Sequence, residues 1–240
     1  MLKKLAVTIG CCVFTLYIMA GCKKPDDINS TVHMEQRKDT AGKRYLALGD
    51  SYTIGQSVLE EERFPYLAVS LLRQQHIVME SPVYIATTGW TTADLQTAIN
   101  NKEPLGIYDV VSLLIGVNDQ YRGMDTAGYR TRFTQLLQKA VQLTGNQPSH
   151  VFVLSIPDYS ATPFVTAVDK AKVSKAIDAF NAINRQITLS QHITYVDITP
   201  LTREAATDIS LLASDGLHYS GKEHLLWAQK LVPLMKDVLQ

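Results

Sequence analysis

Tyr45-Leu46-Ala47-Leu48-Gly49-Asp50-Ser51-Tyr52-Thr53-Ile54-Gly55 is a short apolar run that breaks into a polar turn bounded by glycines. Such a run between turn formers reads as a buried strand, and its polar end falls where the chain leaves a sheet. The pattern recurs downstream. Val83–Ala86 runs into Thr87-Thr88-Gly89-Trp90, and Val110–Ile115 runs into Gly116-Val117-Asn118-Asp119. Val151–Ile156 and Thr194–Val196 read as two further strands. Between and after them, apolar residues recur at helical spacing. One stripe is Phe133, Leu136, Leu137, Ala140 and Val141, another Val173, Ile177, Phe180, Ile183 and Ile187, and the last Leu225, Ala228, Leu231, Met235 and Val238. Strands alternating with helices predict an α/β domain with a parallel sheet, whose functional groups gather at the carboxyl ends of the strands.

Composition narrows the class. Of 240 residues, 46% are hydrophobic and 19% charged, as in ordinary globular proteins. The 23 Lys and Arg balance the 23 Asp and Glu, and no basic block is long enough for a nucleic-acid footprint, so no nucleic-acid partner is expected.

The N-terminus reads as an export signal: Lys3 and Lys4 precede an apolar run, Leu5 to Ile18, that is short for a membrane span. It ends in Met19-Ala20-Gly21-Cys22, which resembles the lipobox of bacterial lipoproteins, though methionine stands where leucine is commoner. The resemblance implies a signal peptide over 1–21, a lipid on Cys22 and an envelope location outside the cytoplasm. Residues 22–43 are polar and read as a tether, leaving 44–240 as the folded domain. The tether's first residues, Cys22-Lys23-Lys24-Pro25-Asp26-Asp27, resemble surface-export signals of Gram-negative outer-membrane lipoproteins. All three cysteines, Cys11, Cys12 and Cys22, lie in the signal, so neither a disulfide nor a thiol nucleophile is expected in the domain. No Cys-x-x-Cys or His-x-x-x-His spacing occurs, and no metal or other cofactor is expected.

Alone, each polar turn is only a turn. In order, a serine after the first strand, a glycine after the second, an asparagine after the third and Asp215-Gly216-Leu217-His218 before the last helix resemble the SGNH family of GDSL esterases and lipases. The resemblance runs from about Arg44 to the C-terminus. It implies a three-layer α/β/α sandwich of the flavodoxin-like type, with a parallel sheet of about five strands, and hydrolysis of an ester through an acyl-enzyme. The chemistry fits the residue types. A serine hydroxyl needs a base to become a nucleophile, imidazole titrates near pH ~6.5 and can take and return a proton, and a carboxylate three residues away can hold its other nitrogen. Ser51, His218 and Asp215 are the expected triad. The backbone N–H groups of Ser51 and Gly89 with the Asn118 side chain are, by resemblance, the oxyanion hole.

Rival readings stand beside these. Asp50 and Asp119 read as structural acceptors in their turns, Asp197 as a more distant orienter, and His224 as the rival base. Gly216–Lys222 spells a phosphate-loop pattern, but Glu223 stands where Ser or Thr would hold magnesium, and Ser220 with Glu223 reads instead as a helix-capping box. No Gly-x-Ser-x-Gly elbow occurs. Tyr219 departs from the family pattern, where proline commonly follows the histidine. Tyr52, Trp90, Tyr159, Phe164 and Tyr219 are candidates for an acyl or sugar pocket. The expected substrate is an O-acylated carbohydrate or a (lyso)lipid ester. An O-acyltransferase using the same acyl-enzyme and a non-catalytic surface-binding lipoprotein are the alternatives.

Overall fold

The computed structural model describes residues 42–102 and 105–240. The signal, Cys22 and all but the last two residues of the tether lie outside the described residues. Strands β1 (Tyr45–Gly49), β2 (Val83–Ala86), β3 (Val110–Leu114), β4 (Val151–Leu154) and β5 (Thr194–Val196) alternate with helices. In chain order the helices are α1 (Ser51–Ile54), α2 (Phe64–Gln74), α3 (Thr92–Asn101), α4 (Val117–Tyr121), α5 (Thr126–Leu143), α6 (Lys170–Ser190), α7 (Thr199–Arg203) and α8 (Gly221–Leu239).

The sheet is parallel throughout, in the order β2-β1-β3-β4-β5. Every residue of β1, β3 and β4 is buried, which requires helices on both faces. Two helix groups supply this cover: α2 packs on α8, while α5 packs on α3 and α6. The order 2-1-3-4-5 is the flavodoxin-like order, in which the connections leaving β1 and β3 diverge and open a crevice at their carboxyl ends. Lys43, at the tether's end, already belongs to the folded unit, since its N–H donates to Val78 O at 2.7 Å and it bridges to Met79.

The three helical stripes read from the sequence are α5, α6 and α8, with shifted faces. In α8 the buried face is Glu223, His224, Trp227, Ala228, Leu231, Val232, Met235 and Leu239, rather than a line through Leu225 and Val238. Helix α2 meets this face through Phe64, Ala68, Val69 and Leu72. Burying a side chain the size of Phe64, Val69 or Leu72 is worth about 1.5–3 kcal/mol. The capping box expected at α8 does not form: Ser220 is the N-cap, but its hydroxyl donates to Ser210 O at 2.8 Å. Glu223 instead turns inward and accepts the Trp227 Nε1–H at 2.7 Å. Burial outweighs that bond, pushing the Glu223 carboxyl up to about 7.

Candidate active site

Two of the polar turns are single-turn helices. Asp50 Oδ1 accepts the Tyr52 N–H at 3.0 Å and caps α1, so the chain turns out of β1 directly at Ser51. Gly116 starts α4 at φ +125°, where a side chain would run into Tyr129 and Ile156. Because β1 and β3 are neighbours, Ser51 and Asn118 both stand at the crevice of the switch point.

The loop before α8 brings the remaining pair. His218 Nδ1 donates to Asp215 Oδ2 at 2.7 Å. The same oxygen accepts the Ser57 hydroxyl at 2.7 Å, and Oδ1 accepts the N–H groups of Leu217 at 3.0 Å and His218 at 2.9 Å. Partial burial works to raise the Asp215 pKa. The bonds from Leu217, Ser57 and His218 outweigh it and hold the carboxyl well below its ordinary range. With Nδ1 donating, Nε2 is the ring nitrogen left to accept a proton.

Ser51, Asn118 and His218 line one cavity of about 170 Å³, walled by Tyr52, Tyr121, Tyr159 and Phe164. Among the described residues no hydrogen bond joins Ser51 to His218; they share the cavity unbonded. Gly89 lies outside this lining. It sits at φ +84°, and its carbonyl accepts from Arg122 Nη2 at 2.7 Å. The adjoining residue ties it to the site: Asn118 Nδ2 donates to Trp90 O at 2.9 Å, fixing the amide plane and leaving a second N–H.

The rival residues are engaged elsewhere. Asp119 is fully buried, accepts the Thr92 N–H and hydroxyl at 2.8 and 2.6 Å, and pairs with Arg132 at 3.2 Å. Asp50 is also fully buried, and its Oδ2 has no partner among the described residues. Burial pushes its carboxyl up to about 8, with the Tyr52 N–H opposing and the Asp119 charge adding to the rise. Asp197 accepts the Ser155 hydroxyl and the Thr199 N–H at the end of β5. His224 is buried between Phe64 and Trp227, and its Nδ1 accepts the Phe64 N–H at 3.2 Å. Burial, with the charges of His218 and Arg63, lowers its pKa to about 3, so it stays neutral.

Of the candidate pocket aromatics, Tyr52, Tyr159 and Phe164 line the cavity. Trp90 does not. Tyr219 is core: fully buried, it donates its hydroxyl to Asp158 O at 3.0 Å and packs against Tyr52 and Trp227. Two further residues of the site, Tyr121 and Ser57, are not singled out by the sequence. Tyr121 follows Asn118 by three positions, the spacing that puts two side chains on one helix face. Ser57 has no such signal, because its partner lies 158 residues away.

Residues 47–224, about three quarters of the chain, match the GDSL-like lipase/acylhydrolase family. No curated protein matches the chain. Several solved structures share its fold. The lipase Lip_vut3 from a goat rumen metagenome is 19% identical, with 80% of this chain and 97% of that one covered at a TM-score of 0.65. Axe2, an acetylxylan esterase from Geobacillus stearothermophilus, is 19% identical, with 81% and 94% covered at 0.63. The psychrotrophic esterase EstA from Pseudoalteromonas sp. is 18% identical, with 81% and 97% covered at 0.60. The family match runs from β1 to the first turn of α8 and so takes in the loops that carry Ser51, Gly89, Asn118, Asp215 and His218; the chain belongs to the GDSL-like lipase/acylhydrolase family and is a serine hydrolase acting on ester bonds.

Proposed function

We propose that the chain cleaves a short-chain ester in two acyl-transfer steps with Ser51 as nucleophile, His218 as general base and acid, and Asp215 as the group that orients the ring. The observation that carries this reading is the 2.7 Å Asp215–His218 pair opening onto the cavity that also holds Ser51. Ser51 Oγ attacks the acyl carbon while His218 Nε2 takes the hydroxyl proton; apo hydrogen bonds of this kind tighten when substrate fills the site. The carbonyl oxygen gains negative charge and is met by the N–H groups of Ser51 and Gly89 and the free N–H of the Asn118 amide. The C–O bond then breaks, and the departing alcohol takes the proton from His218. Water attacks the acyl-enzyme by the reverse roles and releases the acid. A cavity of about 170 Å³ favours a small acyl group, since sites for drug-sized ligands run to ~300–1,000 Å³.

The full chain is expected to label with a fluorophosphonate and to hydrolyse p-nitrophenyl acetate, with both lost in Ser51→Ala. A wild type that does neither overturns the reading. Product analysis with a sugar acceptor present separates hydrolysis from acyl transfer. The proposal also anchors this chemistry in the cell envelope through a lipid on Cys22, supported by the signal-like run that precedes it. Incorporation of labelled palmitate, lost in Cys22→Ser, is the expected outcome.

A further inference from the structure

A second hollow of about 430 Å³ opens beside the Ser51 cavity and shares three walls with it, Tyr121, Tyr159 and Phe164. The three rings support one another, with centroids 6.2 Å apart for Tyr121 and Tyr159, 6.3 Å for Tyr121 and Phe164, and 6.5 Å for Tyr159 and Phe164. Tyr159 is the anchor, nearly buried, with its hydroxyl donated to Gln120 Oε1 at 2.9 Å. Tyr121 and Phe164 are 60% and 51% exposed. Two adjoining aromatic side chains left open to water at the mouth of a reaction cavity offer apolar faces on which a ligand can lie.

The rest of the hollow mixes polar groups with apolar ones. Gln120, with its Oε1 taken by Tyr159, brings amide donors to it; Lys172 brings a cation, and Asp169 an acceptor already bonded to the Thr166 hydroxyl at 2.7 Å. Val165, Val173 and Ala176 complete the lining, so an alkyl chain laid here would find apolar contacts but would satisfy none of the polar groups of Gln120, Asp169 and Lys172. A sugar ring offers C–H faces to Tyr121 and Phe164 and hydroxyls, each both donor and acceptor, to the polar groups.

We propose that this hollow is the leaving-group subsite and binds the sugar of an O-acylated oligosaccharide whose short acyl group enters the Ser51 cavity. The inference rests on Ser51 being the nucleophile, and it assigns Tyr121 and Phe164 to substrate selection. Tyr121→Ala, Phe164→Ala and Lys172→Ala, in the full chain, are tested on a partially O-acetylated oligosaccharide, p-nitrophenyl acetate and lauroyl lysophosphatidylcholine. Each variant lowers the ratio of kcat/KM on the sugar ester to that on p-nitrophenyl acetate about tenfold or more, through KM on the sugar ester. Unchanged ratios overturn the subsite, as does a wild type that prefers the lauroyl lipid to the sugar ester. A second arm needs no catalysis: calorimetric binding of the deacetylated oligosaccharide to Ser51→Ala, weakened at least fivefold by adding Phe164→Ala. Absence of binding overturns the subsite even where p-nitrophenyl acetate hydrolysis supports Ser51. Binding without any esterase activity in the wild type overturns the nucleophile and keeps the subsite.

Discussion

Ser57 sits at φ +67° and donates its hydroxyl to Asp215 Oδ2, the oxygen that also holds the His218 ring. A left-handed conformation costs a non-glycine residue about 1–2 kcal/mol, so the surrounding structure must favour it, and strain of this kind concentrates at functional sites. The hydroxyl and two backbone N–H groups hold the carboxylate in one place, and the carboxylate holds the ring. Ser57→Ala is expected to lower kcat about tenfold, the worth of one hydrogen bond to a charged acceptor at about 1.5 kcal/mol. Ser57→Gly should lose the same kcat but keep a higher Tm than Ser57→Ala, because glycine accepts the positive φ. Steady-state kinetics and calorimetry on the pair check this. A fall in Tm with kcat unchanged would leave Ser57 only a structural role.

Helices α3, α4 and α5 meet beside Asn118. Asp119 in α4 is bonded to Thr92 at the start of α3 and to Arg132 in α5, and Arg132 Nε also donates to the Thr92 hydroxyl at 2.8 Å. This cluster fixes α4 from below, while the Trp90 carbonyl fixes the Asn118 amide from the side. Arg132→Ala would leave a buried carboxylate without its counter-charge. Breaking a buried pair from one side costs about 3 kcal/mol at the low end, or roughly 6–12 °C in Tm for a domain of this size. Arg132→Lys should recover part of the loss, and calorimetry of both variants measures it. The adjacent Gly-x-Asn-Asp reads from the sequence as a strand-to-helix corner, and the structure gives each acidic or amide group there a separate partner.

Across the molecule, the buried carboxyls Asp50 and Glu223 outweigh buried His224 in setting stability against pH. The histidine, lowered from 6.5 to about 3, carries a penalty that is relieved as pH rises toward 6.5, while both carboxyls lose stability over the same range. Asp50 is pushed from 3.8 up to about 8 and Glu223 from 4.5 up to about 7, so between those limits the native state holds more protons than the unfolded chain. Stability is therefore full below about pH 4 as far as these groups go, and it is lost as pH rises through 7 and 8. Thermal unfolding is expected to show Tm falling from pH 5 to pH 8.5. Asp50→Asn, which keeps the acceptor for the Tyr52 N–H, should flatten that fall. A Tm that rises over the interval would contradict the assignment of these carboxyls.

What the sequence by itself determined is the alternation of strands and helices, the polar end of each strand and the order Ser51, Gly89, Asn118, Asp215 and His218, because apolar period and turn chemistry are local properties of the chain. The Asp215–His218 pair was legible for the same reason, three residues of one loop being within reach of each other. Strand order, and with it the meeting of Ser51 and Asn118 at the β1–β3 crevice, was decided by tertiary structure, since sheet register depends on which faces the helices bury. So were the neutral, buried state of His224, the inward turn of Glu223 that removes its cap, the hold of Ser57 on Asp215, and the aromatic wall of Tyr121, Tyr159 and Phe164. Each of these depends on contacts between distant segments, where desolvation and hydrogen-bond partners are set by packing and not by sequence neighbours.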